Sequence, residues 1–422
     1  MPRSLRPPFV AILLGAMVLG AAVGSIKGAG YLPWLGTESL GEVGKVIIGL
    51  IKSLAGPLLF LAVIDAFLRT RIQARAGLIM VGIALTNGLI ALAIGLAISN
   101  IARPGDRLRS LLGSASAAPK LSDKSIDFVK EITAYLPTSI VQPFLDNSVI
   151  TIVILAVLAG LGLRRAKDEQ QARGERDYEV IEGVVATLLR AVEVVLKWVV
   201  GLVPLAVFAV VARTVAKEGF RPLEGLAIYV LVVLAGLAIH ILVVYQGWLI
   251  FVAKRPLAWF WRGGRKAIIT ALGTSSSLAS LPKTLECLDE MDISPASPRL
   301  AACVGTNLNN DGILLYEAMA VLMVAQIHGM DLSFSQQLLA AASCALAGVG
   351  IGGIPDAGLI SLALVLGTVG LPVEVLPLLL TVDWVLSRAR AVTNVISDLL
   401  VAVLLDKFEP KIAKVVGDNP LN

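Results

Sequence analysis

Cysteine, histidine and charge are all scarce in this chain. Its three cysteines, Cys287, Cys303 and Cys344, are odd in number and have no paired spacing. That argues against a disulfide framework or a thiolate metal site and leaves three small buried side chains. The two histidines, His240 and His328, stand alone, so a His-ligated metal or a His-based catalytic triad has no basis. Only 16% of the residues are charged, far too few to solvate a soluble protein of 422 residues. The net charge of +5 does not point to nucleic acid, because the cations lie between apolar runs and form no single patch. No short-period repeat is present.

Apolar sequence fills the space. Hydrophobic residues make up 56% and the mean hydropathy is +0.82, which together predict an all-α polytopic membrane protein. A bilayer core about 30 Å thick needs about 20 apolar residues per helical span. Spans are predicted at 9–26, 45–68, 78–101, 146–163, 179–213 (interrupted by Pro204) and 224–252. A polar loop over 102–135 and a charged loop over 164–177 separate them. Basic residues cluster in alternate connections: Arg3 and Arg6; Arg69, Arg71 and Arg75; Arg164, Arg165, Lys167, Arg173 and Arg176; Lys254, Arg255, Arg262, Arg265 and Lys266. The positive-inside rule places these, the N-terminus and the C-terminus (Lys407, Lys411, Lys414) in the cytoplasm. Since more spans follow residues 1–26, that stretch reads as a retained helix and not as a cleaved leader.

After residue 265 the apolar runs are broken. The segment AIITALGTSSSLASLPKTLECL (267–288) carries serines at its middle, and LAGVGIGGIPDAGLISLALVLGTVGL (346–371) carries glycines and Pro355. Backbone that leaves the helix cannot face lipid, where each unsatisfied amide costs several kcal/mol. Two such interrupted segments predict re-entrant hairpins meeting at a substrate site. Kinked helices in close contact are the plainer alternative. Between them, Asn307, Asn309, Asn310 and Asp311 gather before Gly312. They would open the helix and offer amide, carbonyl and carboxylate oxygens, a donor set for a hard cation.

In VDWVLSRARAVTNVISD (382–398), the residues Asp383, Ser387, Arg390, Asn394 and Asp398 are spaced 4, 3, 4 and 4, so one helix face carries all five. An ionisable side chain at mid-membrane costs at least about 2.5–3.5 kcal/mol, so this face calls for a cavity, an ion or a charged ligand. A network of internal salt bridges is the alternative. Arg390 is expected to lack a protein counter-charge, leaving its planar fork for an incoming carboxylate, and Asp398 is expected to hold a cation. Arg388 points elsewhere on the helix, toward an acid of its own. A serine nucleophile at Ser275–Ser277 lacks a neighbouring base, and Lys283 lies beyond a proline, so an intramembrane hydrolase is a remote reading. An anion channel lined by the polar face is another.

The serine tip, the NNDG break (309–312), the GIPDAG segment and the DWVLSRARAVTNVISD helix, in that order, resemble the dicarboxylate/amino acid:cation symporter family. That family includes excitatory amino acid transporters, archaeal aspartate transporters and bacterial C4-dicarboxylate carriers. The resemblance implies eight transmembrane helices and two oppositely oriented re-entrant hairpins. It implies an elevator-type homotrimer in the cell inner membrane. Scaffold helices would occupy 1–77 and 136–215. A transport domain would take the third helix in 78–135 and residues 216–409, with hairpins at 265–290 and 334–372 and a cytoplasmic tail at 410–422.

It further implies substrate contacts from Ser276 and Ser277 at the first tip, from Ile354, Asp356, Ala357 and Gly358 at the second, and from Asp383, Ser387, Arg390, Ala391 and Asn394. A coupling Na⁺ would find ligands among Thr86, Asn87, Gly305, Asn309, Asp311, Ile351, Asn394 and Asp398. Glu317 matches a glutamate used for proton coupling in eukaryotic members. Ser387 stands where amino acid carriers place an aspartate for the ammonium group, and Ala391 where a threonine is expected, so the pattern leans toward C4-dicarboxylates. Asn310 and Ile313 replace a methionine and a threonine, which puts one cation site in doubt, and Asp356 puts a charge at a tip position usually small or uncharged. No organic cofactor and no nucleic-acid partner is implied.

Overall fold

The computed structural model describes residues 9–28, 30–31, 36–69, 74–111, 139–146, 148–294, 309–351 and 357–408. The elements are α1 (Phe9–Gly28), α2 (Thr37–Arg69), α3 (Ala74–Ala102), α4 (Pro104–Leu111), α5 (Gln142–Leu145), α6 (Val149–Ala172), α7 (Tyr178–Val200) and α8 (Val203–Glu218). They continue with α9 (Arg221–Ile239), α10 (Leu257–Thr274), α11 (Ser277–Glu290), α12 (Asp311–Ile327), α13 (Phe334–Ile351), α14 (Ala357–Val369) and α15 (Leu376–Phe408). Among the described residues the fold is wholly helical. Six stretches are long and apolar enough to cross a bilayer, matching the six spans predicted from hydropathy.

Two expectations about the connections are corrected. The 164–177 stretch is not a loop as far as Ala172, because α6 continues through it. The i,i+4 pairs Arg164–Asp168 (3.2 Å) and Arg165–Glu169 (2.7 Å) support helix there. The 102–135 segment starts with helix α4, where Pro104 opens the first turn and Asp106 sits at its positive end.

One packing group joins α1 to α8 and α2 to α6, α7 and α8. Gly20 and Gly24 set the first of these contacts. A Cβ at Gly24 would lie 2.6 Å from the Ala212 carbonyl, and one at Gly20 would lie 2.7 Å from that of Phe208. Small residues four apart let membrane helices approach to backbone contact. A second group surrounds α12, which packs on α3, α4, α9, α13, α14 and α15. Every residue of α12 is buried. Gly95 of α3 lets the two backbones meet, since a Cβ there would stand 2.7 Å from the Leu315 carbonyl. Gln326 ties the far end, donating to the Ser99 carbonyl (3.0 Å) and accepting from the Gly105 amide (2.9 Å).

Gly95→Leu is therefore expected to force α3 off α12 and to destabilise the fold by about 1–3 kcal/mol. A fall in the unfolding temperature of purified protein checks this. An unchanged melt would mean that the contact is not tight.

Candidate functional site

The serines separate two helices, the first of which begins at Leu257 and not at 265. Ser275 takes the left-handed conformation (φ 56°) and Ser276 is extended. The Ser276 hydroxyl accepts from the Ala279 amide at 3.2 Å and caps α11. Ser277 is buried. In the second hairpin α13 ends at Ile351 and α14 begins at Ala357. Ile354, Asp356, Gly305 and Asn307 lie outside the described residues.

Arg390 sits at the centre of the polar face of α15. The expectation that it lacks a counter-charge is overturned. Its Nη1 donates to Asp383 Oδ1 at 2.7 Å and its Nη2 to Oδ2 at 3.3 Å, with both side chains buried. Seven residues are about two helical turns, so the face that aligns the two also lets them pair. The guanidinium carbon lies 4.1 Å from the Tyr316 ring centroid, a cation–π contact. From the opposite side α14 closes in, since a Cβ at Gly358 would stand 3.1 Å from Arg390 Cζ. Arg390 is thus enclosed by α12, α14 and α15.

Asn394 uses its carbonyl to accept from the Gly312 amide at 2.9 Å, fixing the start of α12 on α15. Its amide donates to Asn310 Oδ1 (3.3 Å), and the Asn310 amide donates to the Gly348 carbonyl of α13 (2.9 Å). Asn310 therefore joins the broken start of α12 to both neighbours. Ser387 is half-buried, and Ala391 faces an apolar cluster with Ala267 and Ala271 of α10. Arg388 finds no acid among the described residues. It donates to its own helix at the Trp384 carbonyl and lies 5.9 Å from that ring's centroid.

Sodium would be an oxygen-bound guest, so the test is whether buried oxygens lack donors. Asn309 Oδ1 and Asp311 Oδ1 are buried without a hydrogen-bond partner among the described residues. Asp398 is buried beside them, accepting from the Asn309 amide at 3.3 Å. No arginine or lysine among the described residues bridges either carboxylate. Two buried carboxylates with orphaned neighbouring oxygens suit a hard cation, so Asn309, Asp311 and Asp398 fit.

The third-helix residues fit less well. Asn87 Oδ1 already accepts from Trp248 Nε1 at 2.7 Å. Thr86 is exposed and donates back to the Gly82 carbonyl of its own helix at 2.8 Å.

Four partners of this site were not singled out from the sequence. Tyr245 and Ser397 each donate to Asp311 Oδ2 at 2.8 Å, and His240 Nε2 lies 3.6 Å from the same oxygen. Trp248 is the fourth. His240–Tyr245 and Trp248–Ala253 are wound as π-helix, extending α9. Such wide turns often mark functional sites. Glu317, fully buried in α12, accepts from the Ser361 hydroxyl of α14.

With this geometry in view, the comparison with known proteins is decisive. The profile of the Sodium:dicarboxylate symporter family matches residues 9–408. The chain belongs to that family. Its members are transporters, not enzymes.

The chain is 29% identical over 429 residues to the C4-dicarboxylate transport protein of Burkholderia multivorans, covering 96% of this chain and 94% of that protein. With the C4-dicarboxylate transport protein of Burkholderia pseudomallei it shares 27% over 430 residues, covering 97% and 95%. It is 33% identical over 259 residues to mouse excitatory amino acid transporter 1, covering 60% of this chain and 46% of that protein. The match thus spans about half the length of the excitatory amino acid transporters and nearly all of the bacterial relatives.

Proposed function

We propose that this chain is a cation-coupled secondary symporter that imports small dicarboxylic substrates by alternating access, with C4-dicarboxylates preferred over aspartate and glutamate. The observation that carries this reading is the buried Arg390, whose acidic partner among the described residues is on its own helix and whose other side faces hairpin residue Gly358. A substrate carboxylate would take the place of Asp383 on the guanidinium fork. Ser387 supports the preference, because a neutral hydroxyl one turn away suits a substrate without an ammonium group. Relatives matched over nearly their full length carry the name C4-dicarboxylate transport protein.

In this reading Ser276 and Ser277 meet one end of the substrate, and Ile354, Asp356, Ala357 and Gly358 form the gate over it. Asn309, Asp311 and Asp398 hold the coupling Na⁺, which supplies positive charge that offsets the two carboxylates. Ile351, Gly305 and Asn394 border that position. Glu317 is the candidate proton carrier. The α1, α2, α6, α7 and α8 group is the scaffold of a homotrimer in the cell inner membrane, both termini in the cytoplasm. The hairpins, α3, α9, α12 and α15 form the moving part, within an architecture of eight spans and two re-entrant hairpins.

Acidic amino acids are the second reading, favoured by the 33% identity to an excitatory amino acid transporter. Uptake into proteoliposomes under an inward Na⁺ gradient separates the two. Labelled succinate should accumulate above its equilibrium level, lose accumulation when the gradient is collapsed, and be displaced by fumarate or malate well before aspartate. Displacement by aspartate alone would reverse the preference, and flux without accumulation would indicate a channel.

A further inference from the structure

Some exposed cations on this protein have a carboxylate beside them. Lys45 pairs with Glu42 (3.0 Å), Arg165 with Glu169 (2.7 Å), Arg176 with Glu179 (2.7 Å) and Lys283 with Glu286 (2.5 Å). The segment that leads into the first hairpin gathers four that do not. Lys254, Arg255, Arg262 and Arg265 are all exposed, and none has an ion-pair partner among the described residues. The nearby acids Glu286 and Glu290 are taken by Lys266, at 3.4 and 2.5 Å. Asp289 and Asp292, also exposed at that end of α11, bridge none of the four.

The surroundings indicate what these cations face. Along α10 the inner face is Phe260, Gly264, Ala267 and Ala271, all buried. Spacings of three and four put Ala258, Arg262, Arg265, Ile269 and Leu272 together on the opposite, outward face. That stripe is basic in its first turns and apolar beyond, with Ile269 66% and Leu272 51% exposed. The end of α9 shows the same change in the reverse direction. Ile250 and Phe251 are 48% and 76% exposed, and the chain then turns at Lys254 through a left-handed conformation (φ 53°) into Arg255.

Both segments therefore pass between exposed apolar and exposed basic surface, with the basic part where they join. At their meeting point Arg255 stacks on half-buried Trp259, 5.0 Å from its ring centroid. Indole and guanidinium groups at a water–hydrocarbon boundary are the usual membrane anchors. Unpaired arginines at that level match phosphate oxygens in a bidentate manner.

We propose that Lys254, Arg255, Arg262 and Arg265, with Trp259, form a binding surface for the phosphate headgroups of anionic lipids at the base of the first hairpin. The apolar residues on either side lie against the acyl chains of the same lipids. This assignment rests on the membrane character of the chain and not on its substrate, so it stands or falls without any transport measurement.

The test uses the full-length protein in phosphatidylcholine vesicles, with a minor component of either phosphatidylglycerol or phosphatidylcholine brominated near the headgroup. Quenching of Trp259, isolated by difference from Trp259→Phe, reports which lipid touches the patch. Brominated phosphatidylglycerol should quench at a several-fold lower mole fraction than brominated phosphatidylcholine. Each cation removed should weaken that preference. R262Q/R265Q should lose most of it, whereas R262K/R265K keeps most of it. Equal quenching by both lipids in the wild type overturns the proposal, whether or not the variants fold. So does an undiminished preference in R262Q/R265Q. Inorganic phosphate that abolishes the preference at constant ionic strength would make this a small-anion site and refute the lipid assignment.

Discussion

An Arg390→Ala carrier is expected to transport dicarboxylate at less than about one-hundredth of the wild-type rate. Truncating one partner of a buried, hydrogen-bonded charge pair costs about 2–5 kcal/mol, and about 3 kcal/mol is already more than a hundredfold. The pairing with Asp383 complicates the reading of such a result. Removing the guanidinium strands a buried carboxylate, which by itself destabilises by about 3–5 kcal/mol. A dead variant would then be ambiguous between lost substrate contact and a damaged fold. R390A/D383N separates them, because it leaves no stranded charge. Its unfolding temperature should recover toward wild type while labelled succinate uptake remains absent. Uptake at the wild-type rate in that double variant would remove Arg390 from the substrate site.

The second large effect concerns the coupling ion. In Asp398→Asn the half-saturating Na⁺ concentration for uptake should rise at least about tenfold, or ~1.4 kcal/mol in binding free energy. The amide keeps the shape of the side chain but removes one of two buried negative charges. Asn87→Ala provides the contrast. Its carbonyl is already held by Trp248, so the Na⁺ dependence should move far less, although the loss of that hydrogen bond lowers stability. A series of uptake rates against Na⁺ reads both. A larger shift in Asn87→Ala than in Asp398→Asn would place the ion on α3.

The sequence made parts of this molecule plain and hid others, for physical reasons that differ from residue to residue. Long apolar runs need no partner to be recognised, so the six spans were legible from hydropathy alone. The breaks after Thr274 and Ile351 were legible because serine, glycine and proline interrupt apolar sequence where lipid tolerates no interruption. Helical spacing correctly put Asp383, Arg390, Asn394 and Asp398 on one face. The same spacing concealed that two of them satisfy each other, since a face shows alignment but not which charges meet.

The partners of Asp311 were harder to find. His240 and Tyr245 are five apart, about 140° round an α-helix, so no α-helical face contains both. Only the wider π winding brings them to the same carboxylate. Ser397 looks unremarkable beside Asp398 until α12 is docked against it. Conversely, Thr86 and Asn87 carry the right oxygens at the right place in the chain, but one faces out and the other is already bonded.

Helix α12 has no exterior. At 17 residues it falls short of the about 20 that span a bilayer, and it carries Asp311 and Glu317 where a lipid-facing helix could hold neither cheaply. Hydrocarbon alone offers it nothing to settle in. Its lodging is built by other parts of the polypeptide, and one of them, α15, is synthesised only after it. A nascent chain halted before Leu376 would hold Asp311 and Glu317 of α12 in an unfinished enclosure. Biogenesis must therefore delay this segment until α15, made after it, completes the cavity that receives it.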